Sequence, residues 1–91
     1  MEETVLMMLR SRLDEPPHEK DFYLSELIKA VMTELREENG IHVKDTSQDI
    51  MFVTDICAWR YSNRDKQEEM PKWLKEMLKG RYMQEVRDAA E

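Results

Sequence analysis

The sequence predicts an all-α fold, a small bundle of four helices in a single domain that spans residues 1–91. The chain has 91 residues, enough for one hydrophobic core but not for two. Glycine occurs only twice, and good helix formers such as Glu, Lys, Leu, Met and Arg dominate. Apolar residues recur at spacings of three and four, and these segments end at helix-breaking signals. Together these observations predict helices at about 2–13, 19–39, 47–62 and 71–79.

The first predicted helix runs from about Glu2 to Leu13. Four apolar residues share one of its faces: Val5, Leu6, Leu9 and Leu13. The acidic connector that follows contains two consecutive prolines, Pro16 and Pro17. A proline pair cannot continue a helix, so the helix is expected to end before it.

The second predicted helix starts at Glu19 or Asp21 and runs to Asn39. Its apolar stripe predicts that one side faces a core: Leu24, Leu27, Ile28, Val31 and Leu35. Asn39-Gly40 is a strong stop signal, because glycine suits the left-handed conformation that ends many helices. The connector 41–46 is expected to pack Ile41 and Val43 against the bundle.

The third predicted helix runs from Ser47 to Ser62, with Thr46 or Ser47 as its N-cap. Apolar residues cover most of its circumference, and such a helix belongs in the middle of a bundle or against another subunit. Both positions are expected here, because four short helices can hardly bury all of its apolar surface.

The fourth predicted helix begins at Pro71, since proline is well suited to the first position of a helix. A polar connector, 63–70, precedes it, and it continues through at least Lys79. The tail, 81–91, is compatible with helix but polar. It is expected either to dock on a neighbour or to fray, as chain ends commonly do.

The charge of the chain is unevenly distributed. The net charge is −6, yet the segment from Arg60 to Arg81 has seven basic and four acidic residues, a local excess of +3 that leaves −9 for the remainder. An acidic chain is not expected to be a simple nucleic-acid binder, which normally has a basic face.

The apolar runs are too short for a membrane span or a signal peptide. The single cysteine excludes an internal disulfide and favours a reducing compartment, the cytoplasm.

No residue pattern predicts catalysis, a cofactor or a metal. His18 and His42 lie in connectors without a nucleophile or orienting carboxylate in a recognisable pattern, so both are expected to be ordinary surface residues. Cys57 lies on the most apolar helix, where a buried structural thiol is the default. A glycine-rich phosphate-binding loop is missing from the sequence, since the only glycines are isolated. The chain is therefore not expected to be an enzyme.

The most informative segment of the sequence is Ala58 to Leu74, where two tryptophans and a tyrosine bracket a polar loop. Large aromatic residues suit the edge of a core or an interface. The predicted surface for a partner or for a second subunit consists of Trp59, Tyr61, Arg64, Lys66, Lys72, Trp73, Lys75 and Lys79. The polar turn 63–69 is the part of this segment that is expected to face the partner.

Three segments of the chain resemble one family. They are the opening helix VLMMLRSRL with its acidic connector, the long helix DFYLSELIKAVMTELREENG, and the block DICAWRYSNRDKQEEMPKWLKEML from Asp55 to Leu78. In the block, an aromatic and Arg-containing helix runs into an Asn63-Arg64 turn, and the pair Met70-Pro71 opens a final helix. Over residues 2–80 this pattern is similar to the small head–tail connector proteins of tailed bacteriophages, also called head-completion or DNA-packaging adaptor proteins. The connector 41–46 is shorter than the corresponding loop of that family.

The resemblance implies a structural protein of the virion. Such proteins form rings of about a dozen subunits below the portal protein, extend the DNA channel, and receive a stopper or tail-completion protein. DNA passes through without sequence-specific binding, and no membrane, cofactor or catalysis is involved. The isolated chain is expected to be a monomer that assembles at the head–tail junction. The implied location is the virion, and during assembly the protein is expected in the cytoplasm of the bacterial host. The gene is expected to belong to a phage or to a prophage.

The sequence leaves two other classes open. One is a small acidic helical interaction or regulatory protein that binds a basic protein partner. The other is a helix-turn-helix DNA binder, although the connector 63–70 is longer than the usual three- or four-residue turn and the chain is acidic. An enzyme with an unrecognised site ranks below both.

Overall fold

The computed structural model describes residues 1–14, 19–66 and 68–90. Within these ranges the chain forms four α-helices and no β-strand. Their bounds are α1 Glu2–Leu13, α2 Asp21–Glu37, α3 Ser47–Ser62 and α4 Lys72–Ala90. The predicted all-α bundle of four helices is therefore confirmed. The proline pair that was expected to end α1, and His18, lie outside the described residues.

The core is built mainly by the first three helices, which pack closely on one another, while α4 lies at the edge of this group. The molecule is elongated and measures 43 × 28 × 19 Å. Its buried apolar side chains are Val5, Leu9, Leu24, Ile28, Val31, Leu35, Ile41, Phe52, Val53, Ile56, Cys57, Ala58, Tyr61 and Leu74. Helix α3 contributes more of them than any other helix, as its apolar circumference predicted.

The end of α2 follows the predicted stop signal. Gly40 has a φ of 65°, the left-handed conformation that glycine adopts at little cost. The chain then turns back, and the amide of Ile41 donates to the carbonyl of Leu35 at 2.8 Å. This turn buries the Ile41 side chain and leaves Val43 half-buried, so the connector packs against the bundle as expected.

Helix α3 begins with a side-chain cap. Thr46 has an extended backbone, and its hydroxyl oxygen accepts a hydrogen bond from the Asp49 amide at 3.2 Å. The cap satisfies one of the amides that a helix leaves without a partner in its first turn. Of the two cap candidates in the sequence, the structure therefore selects Thr46.

Helix α4 is longer than the sequence predicted. The sequence predicted a helix through at least Lys79 and then a polar tail compatible with helix, and the structure continues the helix through Gly80 to Ala90. Gly80 weakens a helix without stopping it, since its φ is not positive. The physical reason for the extension lies in Arg81 and Glu85, which pair one turn apart and contact the rest of the molecule.

Candidate functional site

An open groove of about 270 Å³ brings both tryptophans of the chain together. It lies where the end of α1 meets α3 and the first turn of α4. The residues that line it are Arg12, Leu13, Asp55, Ala58, Trp59, Ser62, Asn63 and Trp73. We call this surface the tryptophan groove.

The position of Trp73 follows from its neighbour. Leu74 is fully buried and anchors the first turn of α4 against the core. Successive helical residues point about 100° apart, so Trp73 projects sideways into the tryptophan groove and remains 48% exposed. Trp59, on the facing surface of α3, is half-buried. Exposed tryptophan is costly in water and is enriched at the centres of interfaces, which makes this groove the leading candidate for partner contact.

The rim of the tryptophan groove is polar. The Arg12 guanidinium donates to the Asp55 carboxylate, which joins α1 to α3. At the end of α3 the Asn63 side-chain amide donates to the carbonyl of Trp59 at 2.8 Å. An apolar centre inside a polar rim is the usual anatomy of a protein–protein contact.

Tyr61 and Arg64 of the predicted surface lie elsewhere. Tyr61 is only 6% exposed, and its ring packs edge to face on Tyr23 with centroids 5.8 Å apart. The Arg64 guanidinium lies 4.0 Å from the Tyr61 ring centroid and also donates to the Tyr61 carbonyl. The two residues thus stabilise the end of α3, and Tyr61 offers little free surface. Their part in an interface stays a prediction.

The four predicted lysines are exposed. Lys72, Lys75 and Lys79 share one face of α4, because they follow one another at spacings of three and four. Lys72 lies 3.9 Å from Glu76, and Lys75 lies 3.8 Å from Glu69. Ion pairs at such exposed positions contribute little to stability and leave the cations available to a partner. Lys66 lies in the connector between α3 and α4.

A second polar cluster was not predicted from the sequence. Arg81 of α4 makes a bidentate contact with Asp49 of α3, with Nε–Oδ1 and Nη2–Oδ2 distances of 2.9 and 3.0 Å. Arg81 also donates to Glu85 at 2.8 Å and to the carbonyl of His42 at 3.1 Å. The Arg81 and Asp49 side chains are 9% and 7% exposed. We call Arg81, Glu85, Asp49 and His42 the polar latch, because they join α4 to the connector 41–46 and to the start of α3.

Each charge in the polar latch has several partners. The Asp49 carboxylate accepts from the Lys44 amide at 2.7 Å as well as from Arg81. The Glu85 carboxylate accepts from the His42 amide at 3.3 Å and lies 2.9 Å from the His42 ring Nδ1. A buried charge that is paired and fully hydrogen-bonded is tolerated, whereas an unpaired one is not. The i, i+4 pair of Arg81 and Glu85 is the sequence signal that could have predicted the latch, although it lies in the polar segment 81–91.

These contacts shift the acidity of the latch residues. Burial raises the pKa of Asp49, but the hydrogen bonds from Arg81 and the Lys44 amide, together with the nearby positive charges, outweigh it and hold that pKa below its ordinary value. The hydrogen bond from Arg81 is the main reason why the pKa of Glu85 is also lowered. The hydrogen bond to Asp49 raises the pKa of Arg81 still further, so the latch holds one cation between two carboxylates.

Cysteine and histidine side chains can take part in catalysis or metal binding, and the described residues include Cys57 and His42. Cys57 is fully buried, and desolvation raises the pKa of its thiol to about 12. The His42 side chain is 66% exposed and contacts Glu85. Among residues 1–14, 19–66 and 68–90, no three His, Cys, Asp or Glu side chains are grouped so that they could hold a metal ion. None of the described helices is long and apolar enough to cross a membrane.

Comparisons with known proteins do not place this chain in a family. No protein-family model, no curated protein and no solved structure matches it.

Proposed function

We propose that this protein is a structural component of a tailed bacteriophage, a head–tail connector that forms a ring below the portal protein. The ring joins the head to the tail, extends the DNA channel and offers its far side to a stopper or tail-completion protein. The proposal is supported by the resemblance of residues 2–80 to that family and by the surface chemistry of the folded chain.

The observation that carries the proposal is the half-exposed Trp73 in the tryptophan groove. A closed ring needs a heterologous interface, in which one face of a subunit contacts a different face of its neighbour. The tryptophan groove together with the lysine face of α4 supplies an apolar and cationic surface for one side. Such an interface buries about 800 Å² per subunit, and a tryptophan at its centre contributes strongly to affinity.

A complementary surface lies on the outer side of α2. A shallow groove there is lined by Glu26, Lys29, Ala30, Thr33, Glu34, Glu37 and Glu38. Four of these seven residues are acidic. Head-to-tail contact between this surface and the lysine face would pair opposite charges, which sets orientation and speeds association.

The net charge of −6 also agrees with a DNA channel. Phosphates are repelled by an acidic wall, so DNA can slide through a ring that it does not bind. A basic channel would hold the DNA instead, since each neutralised phosphate adds to affinity.

The alternative function is a small acidic interaction or regulatory protein that binds a basic partner. The acidic surface of α2 would then be its working surface, and the protein would stay a monomer or dimer. The exposed Trp73 is the feature that this alternative leaves without a role.

The proposal is tested by light scattering and electron microscopy at increasing protein concentration, alone and with a portal protein. A ring, or a monomer that assembles only on the portal, is expected. Trp73→Ala should weaken assembly more than tenfold, which corresponds to ~1.4 kcal/mol or more. The matched control is Met7→Ala, which removes an apolar side chain that is 65% exposed on α1 and outside both proposed faces.

The charge pairing has its own test. Reversal of Lys72, Lys75 and Lys79 to Glu should abolish assembly, whereas the same reversal of Lys20, Lys44 and Arg87, which lie outside both proposed faces, should not. Unchanged assembly after the first reversal would make the charge-pairing idea wrong. A stable monomer that binds basic proteins but no portal would favour the alternative function.

A further inference from the structure

The two halves of α4 are held in different ways. In the first half Leu74 is fully buried, and Met77 and Leu78 are half-buried against the core. The apolar residues of the second half, Tyr82, Met83 and Val86, are each 46–48% exposed. Residues 81–90, which we call the arm, are therefore docked chiefly by two polar contacts of the latch, Arg81 with Asp49 and Glu85 with His42.

The acceptor side of the latch is organised without the arm. The Lys44 amide donates to the Asp49 carboxylate at 2.7 Å, and the Asp49 amide donates to the Thr46 hydroxyl at 3.2 Å. Both contacts lie within the connector and the first turn of α3. Neither contact involves a residue of the arm, so undocking removes neither of them. Release of the arm therefore does not leave this carboxylate buried and unpaired, which is the usual penalty for breaking such an ion pair.

Gly80 marks the boundary between the two halves. A glycine inside a helix is destabilising, and a packing reason normally accounts for one that is present. At position 80 there is room for a Cβ atom, since none of the surrounding atoms lies within 4 Å of it, and the φ of Gly80 is not positive. Neither packing nor backbone conformation therefore requires glycine there. The residue therefore lowers the cost of bending or unwinding α4 at the point where apolar anchoring gives way to polar anchoring.

We propose that the arm is a detachable element, which undocks as a unit about Gly80 while α1, α2, α3 and the first half of α4 stay folded. Undocking moves Tyr82 away from Gly40. In the docked state the Tyr82 ring lies 3.5 Å from the point where a side chain at position 40 would place its Cβ atom. Undocking also opens the groove that Gly40, Ile41, Leu78 and Tyr82 line together. The arm is thus a conformational switch of the isolated chain, and it does not depend on the proposed ring.

Hydrogen exchange followed by mass spectrometry tests the proposal on the full chain. In the unmodified protein the amides of 84–90 should exchange about tenfold or more faster than the core amides of α3, because only the former open locally. Arg81→Met should speed exchange of 84–90 by a further tenfold and leave α3 unchanged. The matched control is Arg87→Met, an exposed position six residues further along the same helix, which should change neither.

A second pair of variants tests the hinge and keeps the proposal testable if Arg81→Met does not fold. Gly80→Ala should slow exchange of the arm severalfold, because alanine stiffens the helix at the boundary. Glu85→Gln weakens the latch more gently than Arg81→Met and should give the same pattern at smaller amplitude. If Arg81→Met speeds amide exchange in the arm and in α3 by the same factor, the two open as one cooperative unit, and the proposal is overturned. Exchange rates of 84–90 that stay the same in both Arg81→Met and Glu85→Gln would overturn it as well. An exchange rate of the arm that stays the same in Gly80→Ala would rule out Gly80 as the hinge.

Discussion

Asp49 and Arg81 lie 32 residues apart in the sequence, yet their side chains form a bidentate ion pair that is almost completely buried. The planar guanidinium matches the two carboxylate oxygens, a geometry that lysine cannot reproduce. The pair fixes where the second half of α4 lies, because the apolar residues of that half remain about half exposed. The position of the arm thus depends on charge, whereas the position of the other helices depends on apolar burial.

The latch makes stability depend on acid pH. The pKa values of Asp49 and Glu85 are lowered in the folded state, so the unfolded chain binds more protons as the pH falls. The stabilisation is present above the ordinary carboxyl range, near pH 4, and is lost as the pH falls through the lower folded values. Urea unfolding at pH 6, 5, 4 and 3 should show this loss. Arg81→Met should flatten the profile, and Arg87→Met should not.

The two glycines should respond oppositely to alanine. Gly40 has a φ of 65°, which strains any residue with a Cβ atom, so Gly40→Ala should lower the free energy of unfolding by ~1 kcal/mol. Gly80 lies within a helix in open space, so Gly80→Ala should raise it by up to ~1 kcal/mol. Thermal unfolding of both variants, followed by circular dichroism, measures the difference. Shifts of the same sign would contradict the backbone assignment at one of the two positions.

Asp14 offers a stabilising substitution. Among the described residues it is the only one other than glycine with a positive φ, 56°, at the end of α1. Asp14→Gly should relieve that strain and stabilise the protein by ~0.5–1 kcal/mol, or a rise of about 2–8 °C in Tm. Asp45→Gly is the matched control, since the φ of Asp45 is not positive and added chain flexibility should lower Tm. A lower Tm for Asp14→Gly would mean that the Asp14 side chain contributes more than its strain costs.

Cys57 should be inert in the folded protein. Its side chain is fully buried, and desolvation raises its pKa to about 12, so the reactive thiolate is scarce at pH 8. Reaction with a thiol reagent should be slower than in denaturant by about two orders of magnitude or more. The rate in denaturant is the internal control. Rapid reaction of the folded chain would show that α3 opens readily, contrary to its place in the core.

Much of the fold is predictable from local signals. The apolar stripe of α2, the turn at Gly40 and the cap at Thr46 each depend on a few neighbouring residues, and the structure confirms all three. Periodic burial and capping are short-range effects, so a sequence window contains the information they need. The aromatic segment is predicted less completely. The sequence does not distinguish Tyr61 from Trp73, whereas the structure buries Tyr61 and leaves Trp73 about half exposed.

By itself the sequence determined the helical class, the starts of the helices, the stops of α1, α2 and α3, and the apolar faces that these helices turn to the core. Only the tertiary structure decided that residues 81–90 are helical and docked, and that Trp59 and Trp73 line one groove. The reason is physical. Arg81 and Glu85 are polar and look like a solvated tail until the fold brings Asp49 and His42 within hydrogen-bonding distance. Local patterns specify which residues avoid water, but a long-range ion pair exists only once the core has brought its partners together.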